Sequence, residues 1–186
     1  MGNLLDLIIS DLSRIIEPTL FNFIKTYLFP KGYVYRYVFW LRIMQWIKSQ
    51  KLSFLFLGWL VYPIFRHYEF KYGIHVNSNI HIGKGLFIVH GDGVYLNCKS
   101  IGDNFTYYQG VTIGTNSYGG LKPTIGNNVV AYTNSVIVGN IICENNSEIA
   151  ANSFVNKNVK CNTIVAGSPA RIIKYKESIK NSLIVN

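Results

Sequence analysis

His90 stands in the run Val89-His90-Gly91-Asp92-Gly93, and its imidazole is suited to taking a proton from a hydroxyl. A hydroxyl holds its proton too tightly to be a good nucleophile, whereas a neutral imidazole, titrating ordinarily near ~6.5, accepts that proton during attack. Gly91 and Gly93 leave space for an acceptor beside the ring. A histidine after an apolar residue serves equally as a buried, hydrogen-bonded structural group, and the residues alone leave both readings open. Asp92 is placed either to orient His90 or to cap a turn. His75, His81 and His90 invite a three-histidine metal site, but their spacings of six and nine lack the paired ligands such a site uses, so no metal is expected. Cys98, Cys143 and Cys161 are odd in number and form no CxxC pair, which excludes a disulfide framework or thiolate metal site and suits a reducing compartment.

The element that must position His90 is periodic. From Ile125 the chain divides into IGNNVV, AYTNSV, IVGNII, CENNSE, IAANSF and VNKNVK without a slip. The first position holds Ile125, Ala131, Ile137, Cys143, Ile149 and Val155; the fifth holds Val129, Ser135, Ile141, Ser147, Ser153 and Val159. Ile101, Tyr107 and Ile113 keep this register upstream, and Val76, Ile82, Ile88 and Val94 are again six apart, with a step of seven from Val94 to Ile101. Period six fits neither a helix nor an alternating strand, but it fits a solenoid whose hexads form flat sides, three to a turn. The first position points inward, and Asn127, Asn128, Asn134, Asn145, Asn146 and Asn152 fall at corners, where positive backbone angles are tolerated. Nearly five coils are expected, with a loop extruded at residues 119–123, where Pro123 marks the return to the coil.

At 186 residues the chain suits one domain plus a helical appendage. Its 49% apolar and 15% charged residues exclude a disordered role. The net charge of +9 is uneven: residues 1–75 carry nine bases and four acids, 76–159 four and four, and 160–186 five and one. The neutral middle and the lack of a motif exclude nucleic-acid binding. Leu4, Leu5, Ile8, Ile9, Leu12, Ile15 and Ile16 predict a first helix ending before Pro18; Tyr37, Leu41, Met44 and Ile47 predict a second over residues 33–50, amphipathic and basic through Arg36, Arg42 and Lys48. The uncharged run of residues 52–65 is too short to span a bilayer. These aromatic, basic helices either pack on one another and a partner subunit or lie on an anionic membrane surface. The amino terminus lacks signal-peptide order, which points to the cytoplasm. The expected division is 1–75 helical, 76–165 coil and 166–186 a carboxy-terminal cap.

GKGLFIVHGDG, IGDNFTYYQGVTIGT, PTIGNNVV and AGSPARIIK together resemble the hexapeptide-repeat acyltransferases, and within them the serine acetyltransferase branch. The resemblance implies a mainly β fold, a left-handed parallel β-helix assembled as a homotrimer, with acetyl-CoA as co-substrate in a groove between subunits. It implies that His90 is the catalytic base. Gly114 and Thr115 would face the developing oxyanion; Thr133, Ala151 and Asn152 would line the pantetheine arm; Ser168, Pro169, Ala170, Arg171 and Lys174 would lie near the nucleotide. Three positions depart from the branch, one being Val89, which replaces the acidic residue before the catalytic histidine. His75 stands where an aspartate pairs with the histidine, and Lys122 where a second substrate-site histidine precedes the proline. With YVYRYVFWLRI and RHYEFKYGIHV, the chain looks more like members acting in capsule, exopolysaccharide and O-antigen synthesis. The resemblance therefore favours transfer of acetyl to a sugar hydroxyl, with serine acetylation for cysteine synthesis as the alternative.

Overall fold

The computed structural model describes residues 3–29, 32–50 and 54–176, with the side chains of residues 54 and 55 excepted. Four helices precede a parallel β-solenoid: α1 (Leu4–Ser13), α2 (Leu20–Leu28), α3 (Tyr33–Ser49) and α4 (Phe54–Tyr72). Asn3 caps α1 by accepting from Leu5 N at 3.2 Å, and Thr19 caps α2 by accepting from Asn22 N at 3.2 Å. Tyr37, Leu41, Met44 and Ile47 form the buried stripe of α3, as their spacing predicts. In α4, Val61, Phe65, Glu69 and Tyr72 turn inward, again three and four apart.

The solenoid has three sheets. The first stacks β1 (Ile74–Val76), β4 (Val94–Leu96), β7 (Thr112–Gly114), β10 (Val136–Val138) and β13 (Phe154–Val155). The second stacks β2 (His81–Ile82), β5 (Ser100–Ile101), β8 (Thr124–Ile125) and β11 (Ile142–Cys143). The third stacks β3 (Phe87–Ile88), β6 (Thr106–Tyr107), β9 (Val130–Ala131), β12 (Glu148–Ile149) and β14 (Thr163–Gly167), and ends with β15 (Ala170–Tyr175), which folds back antiparallel on β14. About five turns result, as the hexad count predicts.

Every first-position and fifth-position residue from Ile125 to Val159 is buried, so the repeat is a repeat of inward side chains. The corner asparagines divide into two jobs. Asn128, Asn134, Asn146 and Asn152 have φ between 55° and 60°, the left-handed region that Asn tolerates. Asn127 and Asn145 do not. Their side chains instead accept from the backbone of the preceding coil, at Asp103 N (2.8 Å) and Asn127 N (2.7 Å). Side-chain amides also form a ladder, each donating to the next, from Asn104 through Asn128 and Asn146 to Asn162 at 3.0–3.1 Å.

Two expectations need correction. Val94 is not in column with Ile113; it pairs with Ile74, and Leu96 faces both Val76 and Ile113. The six-residue step from Ile88 to Val94 is therefore a coincidence of apolar residues, because the chain carries two extra residues between β3 and β4. Nor is α3 basic along its outer face. Arg42 is buried, with Nε 2.7 Å from Asp11 Oδ2 and with donation to Ile82 O (2.8 Å) and Gly83 O (2.6 Å). Asp11 in turn accepts from Leu86 N at 2.8 Å. A periodicity count reads an arginine as solvated; here one ion pair with satisfied hydrogen bonds bolts α1 and α3 to the first coil. Arg14 adds bonds to Gly85 O (3.1 Å) and Thr106 Oγ1 (2.9 Å).

Candidate active site around His90

The two extra residues are His90 and Gly91. Val89 N still donates to Tyr107 O at 3.0 Å, and the ladder resumes where Gly110 N donates to Asp92 O at 3.0 Å, so what lies between leaves the coil. Asp92 (φ 58°) and Gly93 (φ 69°) then turn the chain into β4. The helices hold this turn: Gly91 N donates to Tyr33 Oη on α3 at 3.3 Å, and Asp92 N donates to Tyr72 O at the end of α4 at 2.9 Å. Gly91 is required by closeness, since a Cβ there would meet Ile74 Cδ1, Tyr72 O and the Tyr33 ring at 3.2–3.3 Å.

His90 itself is exposed, so it is not the buried structural group its sequence context allowed. Its ring lies edge-on to Tyr108, with centroids 6.5 Å apart, and Tyr108 stacks on Tyr132 at 5.2 Å. Tyr132 Oη donates to Glu148 Oε2 at 3.3 Å; burial, then that carboxylate, raises the phenol above its ordinary pKa. An aromatic ledge thus runs two coils from the imidazole. Beside it, Gln109 Oε1 is buried without a hydrogen-bond partner among the described residues. Tyr33, Tyr108, Tyr132 and Gln109 had no signal in the periodicity, because each acts through a neighbour one coil or one helix away. The Asp92 carboxylate makes no hydrogen bond among the described residues, and its backbone makes the turn.

The remaining positions fall into groups. Thr133 and Ala151 follow Gln109 down the same corner as the His90 turn: Asn134 N donates to Gln109 O at 3.0 Å, and Asn152 N to Thr133 O at 2.9 Å. Asn152 stands at the left-handed position of that corner. Gly114 and Thr115 lie at the far end of β7, about 13 Å of strand from the corner residue Gly110. Lys122 is with them, in the loop between β7 and β8, where Pro123 O accepts from Lys99 N at 2.7 Å. His75, on β1, turns to α4, with Nδ1 3.5 Å from the buried Glu69 carboxylate, which also pairs with Arg66. Ser168 and Pro169 form the bend between β14 and β15, which carries Arg171 and Lys174. Arg171 and Lys157 line a cavity of about 260 Å³ at the end of the coil. Among the described residues no group of three His, Cys, Asp or Glu is placed to hold a metal ion.

No family model matches the chain. Serine acetyltransferases of Staphylococcus aureus and Staphylococcus epidermidis are each 51% identical to it over 47 residues, 25% of this chain and only 22% of theirs. In three dimensions the likeness is far longer. The serine acetyltransferase of Brucella abortus aligns over 91% of this chain and 68% of its own, at 26% identity and a TM-score of 0.71. The same enzyme in complex with coenzyme A aligns over 92% and 68%, at 26% identity and a TM-score of 0.75. The fold is therefore the left-handed hexapeptide-repeat coil of the serine acetyltransferases. A nearer likeness to capsule or exopolysaccharide enzymes has no counterpart among these relatives.

Proposed function

We propose that this chain is an acetyl-CoA-dependent O-acetyltransferase with His90 as general base. One observation carries the reading: a solvent-facing imidazole on a two-residue insertion, at the head of the corner formed by Gln109, Thr133 and Ala151. That corner, with Asn152, suits a pantetheine arm, and Arg171 and Lys174 at the carboxy-terminal end suit the nucleotide phosphates. Bound there, acetyl-CoA supplies an activated acetyl thioester. His90 takes the proton of the acceptor hydroxyl as its oxygen attacks the acetyl carbon, and returns that proton to the departing thiolate sulfur. A backbone N–H at Gly114 or Thr115 stabilises the carbonyl oxygen as it gains charge, an effect worth about 3 kcal/mol per donor. Because these two residues lie at the other end of the sheet, they serve His90 of a neighbouring subunit, which makes the homotrimer part of the reading. A donor made in the cytoplasm puts the reaction there.

The relatives favour serine as the acceptor. A sugar hydroxyl is the second reading, favoured by His75 and Lys122. His75 is engaged with Glu69 and cannot replace the missing carboxylate in kind, and Lys122 stands at the opposite corner from His90. The test follows free thiol released from acetyl-CoA in the presence of serine or of methyl glycosides. Fast release with serine selects the first acceptor, and release with glycosides alone selects the second. No release with either, by protein of confirmed fold, refutes the activity.

A further inference from the structure

α4 is apolar on its outside as well as its inside. Phe56 is 81% exposed, Trp59 83%, Leu60 55% and Phe70 66%, and no charged residue occurs between Phe54 and Phe65. Soluble surfaces rarely carry so many large apolar side chains together without a partner. α2, joined to α4 through Arg36, which donates to Tyr27 O, Phe29 O and Tyr72 Oη, exposes Leu20, Phe21 and Leu28 and buries no residue of its own.

The charge around this face selects its partner. α2 and α4 together hold three bases, Lys25, Arg66 and Lys71, and a single acid, Glu69, which is buried on the inner side of α4 and paired with Arg66. Lys25 and Lys71 are exposed on α2 and α4, so every exposed charge of these helices is positive. A second copy of the chain, meeting this face across a two-fold axis, would set like charges against each other. An anionic bilayer offers both an apolar layer for Phe and Trp and headgroups for Lys and Arg. Among the described residues no helix is long and apolar enough to cross a membrane, so the geometry of an approach is lateral.

We propose that α4, flanked by α2, docks this protein on the surface of a membrane of anionic phospholipid, with Phe56, Trp59 and Leu60 entering the headgroup layer. The proposal stands on exposure and charge and is independent of the acetyl-transfer reading. It is tested by sedimenting the full chain with vesicles of phosphatidylcholine, alone or mixed with phosphatidylglycerol. Binding is expected only to the mixed vesicles, with release at high salt. The exposed-site variants Phe56→Ser/Trp59→Ser and Lys25→Glu/Lys71→Glu should keep the wild-type circular dichroism and each lose roughly tenfold or more in binding. Absence of sedimentation, equal binding to both vesicle types, or variants that bind as wild type would overturn it. So would a wild-type oligomer that dissociates on Phe56→Ser/Trp59→Ser while vesicles take up no protein, which would assign the face to a second copy.

Discussion

A base at position 90 works only while its imidazole faces solvent and its turn holds still, and both conditions are met by residues outside the repeat. His90→Ala removes the proposed proton acceptor and touches no buried contact. It should lower acetyl transfer by about 100-fold or more, read as thiol release, with unchanged circular dichroism. Tyr33→Phe tests positioning instead. It deletes the hydroxyl that accepts from Gly91 N and should lower kcat about tenfold while leaving the acetyl-CoA KM unchanged. An equal loss in both would mean that Tyr33 supports the fold and not the turn. His90 stood out as a candidate because its neighbours are glycines within a recognisable run. Tyr33 did not, because a phenol on a helix 58 residues away leaves no spacing to count.

At the scale of elements, the hexads were legible because inward positions recur strictly, and that is the property the buried columns share. The insertion at His90 was not, because Val94 happens to be apolar and six residues beyond Ile88, so the break showed only as a step of seven from Val94 to Ile101. α2 and α4 were not singled out as separate helices within the region expected to be helical: α2 buries none of its stripe of Leu20, Phe23, Ile24, Tyr27 and Leu28, and α4 is uncharged from Phe54 to Phe65, so neither shows a clear division into apolar and polar faces. Asn128→Ala places an alanine at φ 55° and breaks two rungs of the amide ladder, which should cost about 2 kcal/mol in chemical denaturation. Asn128→Gly relieves the backbone part and should cost less. Asp11→Ala strands the Arg42 guanidinium in the junction of helices and coil, with an expected loss of about 3–5 kcal/mol. Burial pushes the Cys98 and Cys143 thiols up to about 12, so native protein should be alkylated at the exposed Cys161 alone, and at all three cysteines once unfolded, as mass spectrometry would read.

Across the whole molecule, the coil sets His90, Thr133 and Ala151 on one corner and Gly114 on another, so the proposed site is completed by a second subunit. Light scattering should find a mass three times that of the chain. The most direct test of the account is the rate of thiol release from acetyl-CoA by wild type and His90→Ala, with serine and with methyl glycosides as acceptors. The account predicts acceptor-dependent release by wild type and a loss of about 100-fold or more in the variant. Undiminished release by His90→Ala, or none from folded wild type with either acceptor, would contradict it.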